Sequence, residues 1–123
     1  MTLRTAQVQP ALDVGEIDDI PFHFTADMVA GETIADADIT CEAIEGEDAA
    51  AQDMVTGAHL VGTITAGVFT ESASGGVVLQ RFTGQTRDVS YGVRCVVTLS
   101  SGRKLTAAGE LPVVKLAGAA VVA

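Results

Sequence analysis

Apolar and polar residues alternate with period two along much of this chain, the pattern of half-buried β-strands. The longest row runs Val89, Tyr91, Val93, Cys95, Val97, Leu99, with Ser90, Gly92, Arg94, Val96 and Thr98 between. The turn Ser100-Ser101-Gly102-Arg103 follows, and alternation resumes through Leu105, Ala107, Gly109, Leu111 and Val113. Two alternating runs joined by a glycine-containing turn predict a β-hairpin over Val89–Val113. An earlier row, Ala35, Ala37, Ile39, Cys41 and Ala43, alternates with Asp36, Asp38, Thr40 and Glu42. It predicts a strand with one small apolar face and one solvated acidic face, whose like charges discourage pairing with other chains.

Shorter strands are expected at Phe22–Thr25, His59–Thr65, Val68–Thr70 and Val77–Phe82, punctuated by Gly62, Gly67, Gly75-Gly76 and Gly84. Glu45–Met54 is the one segment with helical character. It is short and acidic, so it reads as a loop with a single turn that Asp48 would cap. The count comes to about seven strands at the roughly 8–12-residue turn spacing of sandwiches. The predicted fold is all-β: an immunoglobulin-like antiparallel β-sandwich over residues 21–115, preceded by an N-terminal arm, residues 1–20, and followed by a small-residue tail, residues 116–123.

Composition agrees with that fold. The chain of 123 residues suits one domain, large enough to bury a core without metals or staples. Hydrophobic residues make up 48% but aromatics only 4%, with no Trp, so the apolar content is mostly Ala and Val, and thirteen Gly with many Thr and Val favour short strands and tight turns. Sixteen acidic residues against seven Lys and Arg leave a formal charge of −9. Such a surface repels phosphate backbones and anionic membranes, so neither nucleic acid nor membrane is an expected partner. Met1-Thr2-Leu3-Arg4 opens without an apolar signal core, and no apolar run approaches the roughly 18 residues of a span. Folding in the cytoplasm is therefore expected.

Candidate chemistry is sparse. The two histidines, His23 and His59, sit beside no Ser, Cys or Thr in a nucleophile motif, and they read as surface or strand-end residues. Carboxylate pairs for glycoside hydrolysis would lack aromatic platforms for sugar rings. Asp36-x-Asp38 and Glu45-x-Glu47-Asp48 offer hard oxygen ligands for calcium, but neither forms a twelve-residue EF-hand loop, so a solvated acidic face is the favoured reading. Ser72-Ala-Ser-Gly-Gly76 leads into a strand with no following Lys and is no phosphate loop. Cys41 and Cys95 lie on inward rows of an early and a penultimate strand, which in an immunoglobulin-like sandwich would face each other across the core. A disulfide is geometrically admissible there. Cytosolic synthesis favours two free thiols acting as small hydrophobes. Tyr91 resembles a tyrosine-corner residue, although it precedes Cys95 by four positions rather than two. No catalytic, cofactor-binding or metal-binding residue is assigned, and no enzymatic activity is expected.

Phe22–Phe24, the step Gly31-Glu32-Thr33-Ile34, the strand closing at Leu79–Gly84, and the terminal pattern Tyr91, Val93, Cys95, Thr98, Ser100, Gly102, Arg103 occur in an order that resembles short bacteriophage virion structural proteins of the fibre–tail adaptor, head-decoration or connector type. The resemblance covers roughly residues 22–114. It departs in lacking tryptophans, in carrying an arm of about twenty residues, and in a longer middle between Ala43 and Val77. The resemblance implies an assembly role without catalytic residues or cofactors. The implied partners are the major capsid protein or neck and tail proteins, together with further copies of the chain, a trimer being the natural homo-oligomer. The implied location is the virion, after synthesis in the host cytoplasm. Net negative charge suits the particle exterior, because packaged DNA would repel it. A capsid decoration or cement protein is the leading expectation. A head–tail or fibre–tail adaptor is the alternative within that class, and a carbohydrate- or ligand-binding β-sandwich module the alternative outside it.

Overall fold

A computed structural model describes residues 11–114 and the backbone of Gln7–Val8. Among the described residues nine strands form two sheets: β1 (Gln7–Val8), β2 (Leu12–Asp13), β3 (Ile17–His23), β4 (Ile34–Glu45), β5 (Val55–Thr65), β6 (Val68–Glu71), β7 (Val77–Thr83), β8 (Val89–Leu99) and β9 (Lys104–Val114). One sheet has the order β1-β9-β8-β4, with β2 also pairing β9; the other has the order β3-β7-β5-β6. With β3, β4, β5, β7, β8 and β9 as strands B to G, the sheets read G-F-C and B-E-D, the immunoglobulin arrangement. All pairings are antiparallel except those of β1 and β2, which run parallel to β9.

The predicted hairpin Val89–Val113 is β8–β9, with Val89 opposite Val113 and Thr98 opposite Lys104. Its inward row is buried from Val89 to Leu99, with Gly109, Leu111 and Val113 beside it. β4 follows the expected alternation from Ala37 to Ala43, but Ile34 is buried and Ala35 exposed. The register shifts between Ile34 and Asp36, and the extra residue of that bulge reverses which side chain points inward.

The sandwich begins well before Pro21. Leu12 is buried against the core, β3 starts at Ile17, and Ile20 is buried opposite Gln80. Residues 12–13 and 17–20 thus belong to the two sheets, joined by a turn, rather than to an arm. Asp18 and Asp19 are both exposed on this edge strand, Asp18 on the same face as Ile20, which masks the strand pattern in the sequence. The expected tail, 116–123, lies outside the described residues.

The expected turn is a 3₁₀ turn at Ala51–Met54, where Asp48 does not serve as N-cap. The turn does contribute to the core, since Met54 is fully buried and Ala51 nearly so. One buried polar side chain, Gln80, fills an irregularity in β5 between Thr56 and Leu60: its Nε2 donates to the carbonyls of Thr56 and Gly57, 3.1 Å each. A buried amide is tolerated when its donors are satisfied in this way.

The cysteines require a correction. Cys41 is on β4 and Cys95 on β8, neighbouring strands of the same sheet, so they do not face each other across the core. Cys41 lies opposite Val93, and Ile39 opposite Cys95. β3 occupies the B position, which moves the Cys41 strand to position C. Both thiols are free and buried, and burial raises each to about 12.

Candidate interaction site at the loop end

At one end of the sandwich the β3–β4 connection, residues 24–33, meets the β8–β9 turn, residues 100–103. Main-chain bonds join them first. Ser100 N donates to Thr33 O at 2.8 Å, and Thr33 N donates to Ser100 Oγ at 3.0 Å. The side chains then lock the contact. Arg103 Nη2 donates to Glu32 Oε1 at 2.6 Å and Nε to Oε2 at 3.0 Å, a two-bonded pair. Ser101 Oγ donates to Glu32 Oε2, Val29 N to Glu32 Oε1 at 2.6 Å, and Arg103 Nη2 to Asp27 O at 2.9 Å. Bidentate, charge-assisted geometry is the strong form of such pairs. These donors hold the Glu32 carboxyl down at about 2, with the Arg103 bonds as the largest cause.

The consequence is a preformed loop surface. Glu32 is spent on internal bonds, and the backbone of Val29 is pinned while its side chain stays 63% exposed. A fixed apolar side chain on a braced loop loses little conformational freedom on docking, which favours recognition over chemistry.

The opposite end is braced through Asp48. Its Oδ2 accepts from Tyr91 Oη at 2.5 Å, Gln85 Nε2 at 2.8 Å and Thr86 Oγ1 at 3.1 Å, and its Oδ1 accepts from Ala50 N at 3.0 Å. Tyr91 is fully buried. Its hydroxyl therefore ties the β8 strand to the loop after β4, whereas a tyrosine corner bonds to backbone a few residues upstream. Asp48, weighed above as a calcium ligand, has its oxygens occupied by these donors. Asp36 and Asp38 stay exposed on β4. Among the described residues no three His, Cys, Asp or Glu side chains gather as metal ligands. His23 is exposed at the end of β3 and His59 half-buried in β5.

A shallow concavity of about 480 Å³ lies on the outer face of the five-stranded sheet. Gly92 forms part of its lining, with Glu42 and Glu110 on either side across the strands, together with Ile44 and Arg94.

The sequence placed Glu32, Ser100 and Arg103 in motifs without indicating that the motifs touch. Gln52 was missed altogether. Its side chain accepts from Cys41 N at 2.9 Å and donates to Ile39 O at 3.0 Å, occupying the open edge of β4 as a strand would. A glutamine beside an apolar pair in a short turn carries no periodic signal by which it could be found.

A search of protein-family models finds none that matches this chain, and a search of curated proteins likewise finds no match.

Proposed function

We propose that the chain is a structural module of a bacteriophage virion, a decoration or cement protein on the particle exterior, docking through its braced loop end. One observation carries this reading. Two of the short segments that carry the resemblance, Gly31–Ile34 and Ser100–Arg103, are bonded to each other as one surface. A motif pair that makes a rigid loop cluster, rather than a cleft with a free acid or base, suits a protein whose work is contact. The acidic charge favours an exterior position over a DNA-facing one.

Quantitative mass spectrometry of purified particles that contain this chain tests the reading. Copies in the hundreds support decoration. A number near about a dozen, the order of a cyclic neck ring, transfers the protein to an adaptor position. Substituting Val29→Asp should then weaken particle binding without unfolding the protein, because Val29 is exposed. A protein that associates with no particle component would refute the proposal.

A further inference from the structure

The outer face of the β4-β8-β9 sheet carries a cleft at its centre. Two cross-strand rows define it: Glu42, Gly92 and Glu110 in one, Thr40, Arg94 and Ala108 in the next. All six residues face outward, because Cys41, Val93 and Gly109 between them form the buried row. Glycine inside a strand weakens it and often marks a close approach by another group. A Cβ on residue 92 would come within 3.1 Å of Ile44 Cγ2. Glycine therefore leaves bare backbone as the floor of the cleft, walled by Ile44 and flanked by the two glutamates.

The charges in these rows are unspent. Among the described residues the side chains of Glu42, Glu110 and Arg94 take part in no hydrogen bond or ion pair, unlike Glu32 and Asp48. Each glutamate stands one strand spacing, about 5 Å, to one side of Gly92. An arginine fits such a gap: its apolar stem lies on the glycine and Ile44, and its planar cation sits between the carboxylates.

Arg94 decides which molecule brings that cation. It lies about 7 Å along β8 from Gly92, on the same face. A simple basic segment entering the cleft meets this like charge beside it. A partner that matches both rows must carry a cation and an acid-flanked gap at the same spacing, and this chain does.

We propose that this face is a contact between two copies of the chain, related by a two-fold axis that runs across the strands midway between the two rows. That axis sets each Arg94 over the partner's Gly92, between the two glutamates. It sets Thr40 over Glu42 and Ala108 over Glu110, so within these rows no carboxylate meets a carboxylate. A two-fold contact must be self-complementary, and the succession of an acidic row and a basic row supplies this; a face of one sign would repel its copy. Facing sheets cross at about 30°, which displaces distant residues, but both rows lie within about 4 Å of the axis. Three strands of this length present roughly 500 Å² per copy, the low end for specific contacts, so the dimer is weak. The inference concerns the isolated protein and does not rest on the virion reading.

Sedimentation equilibrium at physiological salt, carried to millimolar protein, should give a monomer–dimer equilibrium. Arg94→Glu should weaken it at least about tenfold, and so should Glu42→Arg combined with Glu110→Arg. Each of these variants alone sets like charges over the cleft. An equimolar mixture of the two restores both matched contacts and should dimerise at least as tightly as the wild type. Circular dichroism verifies the fold of the variants. If either unfolds, amide shifts of the wild type along the concentration series decide, and the changes should centre on Gly92 and Arg94. A monomer at every concentration overturns the proposal, as does a dimer that Arg94→Glu leaves intact, a mixture of folded variants that stays monomeric, or shift changes centred on another face. A wild type that stays monomeric yet binds tetra-arginine through Glu42 and Glu110 would also overturn it, and would assign the cleft to a foreign basic segment.

Discussion

Glu32 and Arg103 stand 71 positions apart in the chain and meet in a two-bonded ion pair that closes one end of the sandwich. The Glu32 side chain is only 8% exposed while Arg103 remains 44% exposed. The carboxylate is thus the buried partner, and its state governs the clamp.

Acid should release that clamp. The Glu32 carboxyl lies at about 2 in the folded protein against an ordinary 4.5. A depressed folded value stabilises the protein fully above the unfolded value, and the contribution is lost as pH falls through the folded one. Stability should therefore drop between about pH 4.5 and 2, with Asp48 adding in the same direction. Urea midpoints across that range should fall more steeply for the wild type than for Glu32→Gln. Equal slopes would remove Glu32 as the cause.

Tyr91→Phe should keep the core packing and lose the bond to Asp48. A hydrogen bond to a carboxylate from a buried hydroxyl is strong, so the midpoint of thermal unfolding should fall by about 5 °C or more. Calorimetry reads this directly. An unchanged midpoint would mean that Gln85 and Thr86 satisfy Asp48 alone.

Removing the Gln52 amide should expose the middle of the β4 edge. Gln52→Ala is expected to cost about 1 kcal/mol and to speed hydrogen exchange at Cys41, whose amide then faces solvent. An exchange rate at Cys41 equal to that of the wild type would show that the amide is protected by something other than Gln52.

The thiols should be inert while the protein is folded. Burial raises both Cys41 and Cys95 to about 12, which suppresses the reactive thiolate at neutral pH. Iodoacetamide labelling followed by mass spectrometry should find no adducts in buffer and two in denaturant. Fast native labelling of either residue would contradict its burial.

Much of the fold was legible because a half-buried strand writes its two faces into alternate residues. β8 and β9 carry that signal over eleven residues each, and β4 carries it until a bulge interrupts it. The start of β3 carries little periodic signal, because Ile17, Asp18 and Asp19 are all exposed and only Ile20 and Phe22 of this edge strand are buried. The candidate site was half legible: its motifs were visible, and their contact was not.

By itself the sequence determined the all-β class, the hairpin, and the inward positions of Tyr91, Cys41 and Cys95, since these depend on local periodicity and burial of apolar side chains. Only the tertiary structure decided that the two cysteines share one sheet, that Glu32 finds Arg103, that Asp48 accepts from Tyr91, and that Gln52 closes an edge. Alternation records which face of a strand is buried, but not which strand lies beside it. Polar pairs between distant segments form only after the sheets have brought those segments together.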